Sequence, residues 1–243
     1  MRYLIILLLF LTSCPHKTSS FDWGSQPYQN IVPPPIGRWA ATPTISYNGE
    51  LFSSQSIRPD WALNSATSTF QEELINISKW CDGIGYKIGS GSDIDVYFYY
   101  EPYTKKTSSI GDDCLVIVEP PGKATSTASP PAPGSNYSGV AIVTSDNRTI
   151  SHVDVWLNIN KYQVFYDEYK IRYPKASDKE LKTWAVKKEN AIFARIIWHE
   201  LGHALFGLSD DSQGSTNGTM VYATMTIPYN TEETAVIKWM YGL

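Results

Sequence analysis

His199-Glu200-Leu201-Gly202-His203 decides how the rest of this chain is read, with Gly207 and the pair Asp210-Asp211 just beyond it. Four residues apart on an α-helix, two histidines share one face with Cβ atoms roughly 5–6 Å apart, so both imidazoles can reach one ion. Glu200 projects to the neighbouring part of the helix surface, where a carboxylate can take a proton from metal-activated water without being a ligand. The chain holds only four histidines, and two of them stand in this spacing around the glutamate. The pattern points to Zn2+ held by His199 and His203, with Glu200 as general base.

The flanking residues support a buried helix. Phe193, Ile197 and Leu201 form one stripe, and Ile192, Ile196, His199 and His203 form an adjacent one at helical spacing. Burial on two sides fixes imidazole rotamers and excludes bulk water, which suits a catalytic site. A helical region opens at the capping box Ser177-Asp178-Lys179-Glu180, and the helix carrying the histidines is expected to begin near Asn190. Gly207 can end it and let the chain turn.

With 243 residues and 42% hydrophobic content, the chain suits one medium domain plus accessory segments. The 24 acidic and 20 basic residues are spread without long runs, so neither nucleic acid nor an anionic membrane surface is expected as a partner. The apolar run Leu4 to Leu11 has the length of a signal-peptide core, far short of the ~20 residues that span a bilayer. Its end, Leu11-Thr12-Ser13-Cys14, resembles the lipobox of bacterial lipoproteins, whose cysteine is lipidated and becomes the mature N-terminus. That resemblance implies a signal peptide over 1–14 and a lipid anchor at Cys14. It also implies a location in the bacterial cell envelope, facing the periplasm or the cell exterior. Residues 15–37, with Pro33-Pro34-Pro35, read as a stiff tether, and the domain is expected over 38–243.

Pro43 to Tyr47 reads as a strand ending at an Asn48-Gly49 turn. Ser68 and Gln71 form a capping box, and Phe70, Leu74, Ile77 and Cys81 recur at helical spacing until Gly83. Asp93 to Tyr100 alternates as a half-buried strand, and Gly139 to Thr144 and Val153 to Leu157 read as further strands. Between them, the Pro/Ser/Gly-rich stretch from Glu119 to Gly139 forms a surface excursion, either bordering a cleft or simply inserted. A final helix is expected from Thr231 to Tyr241, capped by Asn230 and Glu233. Cys81 and Cys114 would meet an oxidising compartment, and a disulfide between them is expected, with two buried thiols as the alternative. His152 beside Asp154 reads as a satisfied structural pair.

In this order the elements resemble the metzincin metallopeptidases, and among them the matrixins. His-Glu-Leu-Gly-His-Ala-Leu from His199 to Leu205 is similar to the matrixin zinc helix. Met220-Val221-Tyr222 resembles the methionine turn, and Trp239-Met240-Tyr241-Gly242 is similar to the end of the terminal helix. The resemblance covers about 38 to 243 and is strongest from 190 onward. It implies an α+β, three-layer-like fold. The expected parts are a twisted, mostly parallel sheet of about five strands with one antiparallel edge strand, two long helices including the zinc helix, and a small C-terminal subdomain ending in a helix.

Two departures accompany it. Ala204, Leu205 and Phe206 precede Gly207 where the family has two residues, and the third ligand position holds Asp210 instead of the matrixin histidine, resembling the snapalysin-type members. The resemblance thus implies His199, His203 and Asp210 as zinc ligands, with Asp211 left open by the extra residue. It also implies Met220 as a floor beneath the metal, with Met225 as rival, and Tyr222 as a hydrogen-bond donor to the oxyanion. A carboxylate ligand lowers the net charge of the site and makes its water less acidic. The reading is a monomeric, lipid-anchored zinc endopeptidase acting on protein or peptide substrates. A non-catalytic zinc-containing surface lipoprotein that binds a partner is the alternative. A third arrangement, with Glu232 or Glu233 as ligand, lacks the downstream acidic pattern it requires.

Overall fold

Ile94, Val96 and Phe98 alternate with Asp95, Tyr97 and Tyr99 along β4 (Ile94–Tyr100), which pairs in parallel with β7 (Thr149–Asn158) at the centre of one sheet. The computed structural model describes residues 21–53, 59–80, 86–91, 93–101, 114–121, 137–211, 218–221 and 226–242. The other strands are β1 (Arg38–Trp39), β2 (Thr44–Ser53), β3 (Lys87–Ile88), β5 (Cys114–Glu119) and β6 (Gly139–Asp146). Their order is β3-β2-β4-β7-β6-β5, with β1 pairing separately on β7. Strands β1 to β4 and β7 are parallel, whereas β6 runs antiparallel to β7 and β5 runs parallel to β6. Asn147 and Arg148 adopt φ 46° and 62° between β6 and β7, the left-handed pair that a two-residue hairpin requires.

The sheet therefore has seven strands among the described residues where about five were expected, and its antiparallel part is the two-strand ribbon β6–β5 instead of one edge strand. The added members explain the difference. β1 and β3 are two residues each, too short for a period-2 pattern.

Four helices accompany the sheet: α1 (Asp60–Trp80), α2 (Asn160–Arg172), α3 (Asp178–Phe206) and α4 (Thr231–Tyr241). α1 and α3 pack on each other and cover the sheet face that carries Ile94, Val96, Phe98, Val153 and Val155, forming the main core. A smaller apolar cluster of Tyr99, Val140 and Trp156 lies apart from it, with Tyr97 and Phe52 packed against it. α1 starts ahead of the expected capping box: Pro59 O accepts from Ala62 N, and Ser68 lies mid-helix. Its buried face does carry Phe70, Leu74 and Ile77, while Cys81 lies outside the described residues. The Ser177–Glu180 capping box is complete, and the helix it opens runs without a break for 29 residues through both histidines. α2 was not foreseen, because only Asn160, Lys161 and Tyr162 are buried and no apolar stripe marks it. β2 continues through Asn48-Gly49 with a bulge between Tyr47 and Leu51, Gly49 taking φ 69°, so that turn signal marks a kink inside a strand.

The stretch read as a tether is packed from Phe21 onward. Phe21 and Trp23 meet Trp239 of α4, Val32 is buried, Ser209 Oγ donates to Pro34 O, and Ile36 N donates to Gly207 O. Aromatic side chains set among the prolines supply apolar surface that a free spacer lacks. Residues 1–20, including Cys14, lie outside the described residues. Among those described, no helix is long and apolar enough to cross a membrane.

Candidate metal centre

His199 Nε2 and His203 Nε2 lie 3.3 Å apart on α3, and Asp210 Oδ1 stands 3.1 Å from the first and 3.0 Å from the second. His199 Nδ1 sits 2.9 Å from Thr219 O and His203 Nδ1 2.7 Å from Leu208 O. Carbonyl oxygens only accept, so each Nδ1 carries the proton and each Nε2 turns a lone pair inward. Two lone pairs and a carboxylate oxygen thus converge in a buried space, an arrangement that repels itself unless a cation sits between them. Ligands at about 2.0–2.1 Å from a tetrahedral zinc stand about 3.3 Å from one another, so the three donors fit that ion in spacing and in chemical type.

The chain reaches this geometry through the end of α3. Gly207 adopts φ 62° and its N–H closes on Gly202 O and His203 O, a left-handed helix end. A Cβ there would fall 1.9 Å from Gly37 O, so glycine is required by close approach as well as by backbone conformation. The extra residue before it is absorbed by the helix, which continues through Phe206. Asp210 then meets the histidines, while Asp211 is buried and its N–H holds Met220 O.

Met220 lies against the helix between the histidines: a Cβ on Gly202 would come 2.5 Å from its Sδ. The turn carrying it is clamped by Glu233, whose carboxylate accepts from Thr219 N at 3.0 Å, Met220 N at 2.8 Å and Asn230 N at 2.9 Å. Glu233 therefore ties the cap of α4 to the strand of chain beneath the site and is occupied by backbone donors, which sets it apart from the metal donors. From its spacing in the sequence Glu233 has a capping role and, in the disfavoured third arrangement, a ligand role, but not this grip on Thr219 and Met220. Tyr222 and Met225 lie outside the described residues.

Glu200 is not one of the three donors. It is fully buried beneath β6, where a Cβ on Gly139 would fall 2.3 Å from Oε1, and neither of its oxygens finds a well-formed hydrogen bond. Burial raises its carboxyl to about 8 against the pull of His199 and of the Cys114 thiol. Cys114 pairs with Gly139 across β5–β6, and its sulfur lies within 4.8 Å of ligand atoms of both His199 and Glu200. Among the described residues it is a free thiol, and Cys81, the partner expected for it, lies outside them; the pairing of β5 with β6 places the Cys114 sulfur beside Glu200. Burial, reinforced by the Glu200 carboxylate, pushes that thiol well up. Its place at the site came from β5 lying beside β6, which nothing in the local sequence signals. His199, Glu200 and His203 are fully buried, and the Asp210 side chain, 15% exposed, is the part nearest solvent. Behind α3, Trp198 Nε1 donates to Glu73 Oε2 and its carbonyl accepts from Tyr229 OH, fixing the helix segment that carries the histidines.

Compared with known protein families and with characterised proteins, the chain has no significant match.

Proposed function

We propose that this chain is a zinc-dependent endopeptidase of the metzincin kind, exported and lipid-anchored through Cys14 at the bacterial cell envelope. The observation that carries the proposal is the convergence of His199 Nε2, His203 Nε2 and Asp210 Oδ1 at 3.0–3.3 Å, with an unpartnered buried carboxylate beside them. A zinc ion held there supplies Lewis acidity toward a scissile carbonyl and an acidified water. Glu200 takes the proton of the attacking water and passes it to the leaving amine nitrogen, acting first as base and then as acid. His199 and His203, fixed through their Nδ1 donors, keep both Nε2 atoms aimed at one point. Met220, gripped by Glu233 through its backbone, supports the helix from below.

Metal analysis of the purified chain with a chelator-sensitive peptide cleavage assay tests the reading. Glu200→Gln is expected to retain zinc and lose turnover by ~10²–10⁴. Mass spectrometry of the mature N-terminus tests the anchor, and an unmodified peptide starting elsewhere removes it. One observation favours the alternative of a non-catalytic zinc lipoprotein: His199, Glu200 and His203 are fully buried and Cys114 lies against Glu200, the enclosure expected of a structural metal. Zinc without chelator-sensitive cleavage would decide for it.

A further inference from the structure

Away from the metal centre, α2 and α3 pack as a hairpin, and its far end carries a hollow of about 530 Å³ lined by Tyr169, Tyr173, Trp184, Lys187 and Lys188. That volume lies within the range of small-molecule sites. Trp184 precedes His199 by about 22 Å along the axis of α3, at 1.5 Å per residue. None of the three aromatic residues belongs to the main core or to the smaller apolar cluster. Tyr173 is 42% exposed, and Tyr169 and Trp184 are half-buried. Aromatic surface gathered outside a core, and rimmed by charge, marks a place of contact.

The rings form a corner. Tyr169 and Tyr173, at i and i+4, are tilted by 33° with centroids 6.3 Å apart, whereas Trp184 stands at 75° and 67° to them, 6.0 and 5.2 Å away. One turn further along α3, Lys187 and Lys188 are exposed at the rim, and the Arg172 guanidinium lies 5.5 Å over Tyr173. Among the described residues no carboxylate lines the hollow. Asp178 is held by Lys182 at 2.8 Å and by Tyr166 OH at 2.9 Å, Glu180 closes the cap at Ser177, and Glu189, beside Lys188, is fully buried. A chain with a net charge of −4 thus concentrates positive charge around three aromatic rings.

This combination selects among anions. An extended peptide would find no free backbone edge, because both walls are helices whose amides bond within the helix. A lipid surface would meet a hollow where it needs projecting apolar groups, and Ile171, 83% exposed, stands among the exposed acids Asp167 and Glu168. A pyranose ring, by contrast, has apolar C–H faces that lie on aromatic rings and hydroxyls that stay in water at an open site. A carboxylate on that ring gives the lysines their partner.

We propose that the hollow binds an acidic sugar of the uronic-acid class, carried on a polysaccharide. The sugar ring rests in the corner of Tyr169, Tyr173 and Trp184, and its carboxylate lies between the ammonium groups of Lys187 and Lys188. No residue of the metal centre takes part, so the inference stands apart from the peptidase reading.

Calorimetric titration of the purified full chain with oligogalacturonate and with hyaluronan oligosaccharides tests it, with neutral galactan oligomers, polyglutamate and phosphatidylglycerol vesicles as comparisons. Saturable binding to at least one acidic oligosaccharide is expected, weakened by added salt. Tyr173→Ala should weaken it about tenfold, and Lys187→Gln/Lys188→Gln roughly three- to tenfold. Both changes lie at exposed positions, and circular dichroism checks that the fold is kept; should Tyr173→Ala unfold, the lysine variant carries the test. Failure to bind both acidic oligosaccharides overturns the proposal, as does binding that these variants leave unchanged. Equal affinity for polyglutamate, or tighter binding to the vesicles, also overturns it, in favour of an acidic peptide or a membrane surface.

Discussion

Replacing Gly139 with alanine tests whether Glu200 works from the position in which it is found. A methyl group at residue 139 would stand 2.3 Å from Glu200 Oε1, 2.6 Å from Cγ and 2.7 Å from Cδ. Non-bonded heavy atoms settle at about 3.5–4.0 Å, so the carboxylate and the strand must separate by roughly 1 Å. β6 is held on both edges, by β7 and by β5, and the longer glutamate side chain is the partner that yields. A displacement of about 1 Å at a catalytic group costs on the order of 10²-fold, and full loss of the base costs up to ~10⁴. The expected result is a fall in kcat/KM of about 100-fold or more, equivalent to ~2.7 kcal/mol of lost transition-state stabilisation. Zinc content should stay at the wild-type value, because the methyl meets none of the three donors. Steady-state cleavage of a fluorogenic peptide, with metal analysis of the same sample, provides both readouts. A variant that keeps activity within threefold of wild type would refute the placement of Glu200 as base.

The same geometry separates the two aspartates: Asp210→Ala should lose zinc and activity together, whereas Asp211→Ala should keep its metal, and the reverse pattern would overturn the assignment. Gly207→Ala forces a left-handed residue against Gly37 O and should lower the Tm by several degrees, consistent with a cost of roughly 1–3 kcal/mol. An unchanged melting curve would show that the turn is not under that constraint. Glu189 is fully buried, and burial raises its carboxyl from 4.5 to about 8 over the opposing charges of Lys161 and Lys188. A carboxyl that binds its proton more tightly when folded contributes most below its unfolded value, so stability should decline as pH rises from 4.5 toward 8, by up to about 1.4 kcal/mol per unit. Glu189→Gln should remove that part of the decline and be the more stable protein at pH 8. Parallel Tm profiles of the two proteins would sink the idea.

What was legible in the sequence was what neighbours in the chain decide. The spacing of His199 and His203, the glycine after α3, the capping boxes at Ser177 and Asn230 and the alternation of β4 are all local, and each appears where it was read. The errors fall where local signals compete. Ser68 and Gln71 have the form of a cap, but the helix had already begun at Asp60, because tertiary packing of Ala62, Ala66 and Phe70 extends it toward the N-terminus. Asn48-Gly49 has the form of a turn, yet pairing of β2 with β4 on both sides of it leaves only a bulge. Phe21 and Trp23 sit in a composition that reads as linker, and their partner Trp239 is far along the chain.

The site shows the same division more sharply, since its histidines are local and nearly everything that shapes Glu200 is not. Gly139 is glycine because a carboxylate from α3 occupies the space its side chain would fill, and Cys114 faces that carboxylate because β5 pairs with β6 in one register. A shift of β5 by one residue would carry the thiol to the other face of the ribbon, so its presence at Glu200 is a property of strand pairing and not of the cysteine itself. Glu233 follows the same logic: its spacing from Asn230 announces a helix cap, whereas its grip on Thr219 and Met220 exists only once α4 has docked beneath α3. Asp95 and Asp154 are set side by side by the pairing of β4 with β7. Residue types thus mark where chemistry is concentrated along this chain, but which groups share a centre is decided by the register of the sheet.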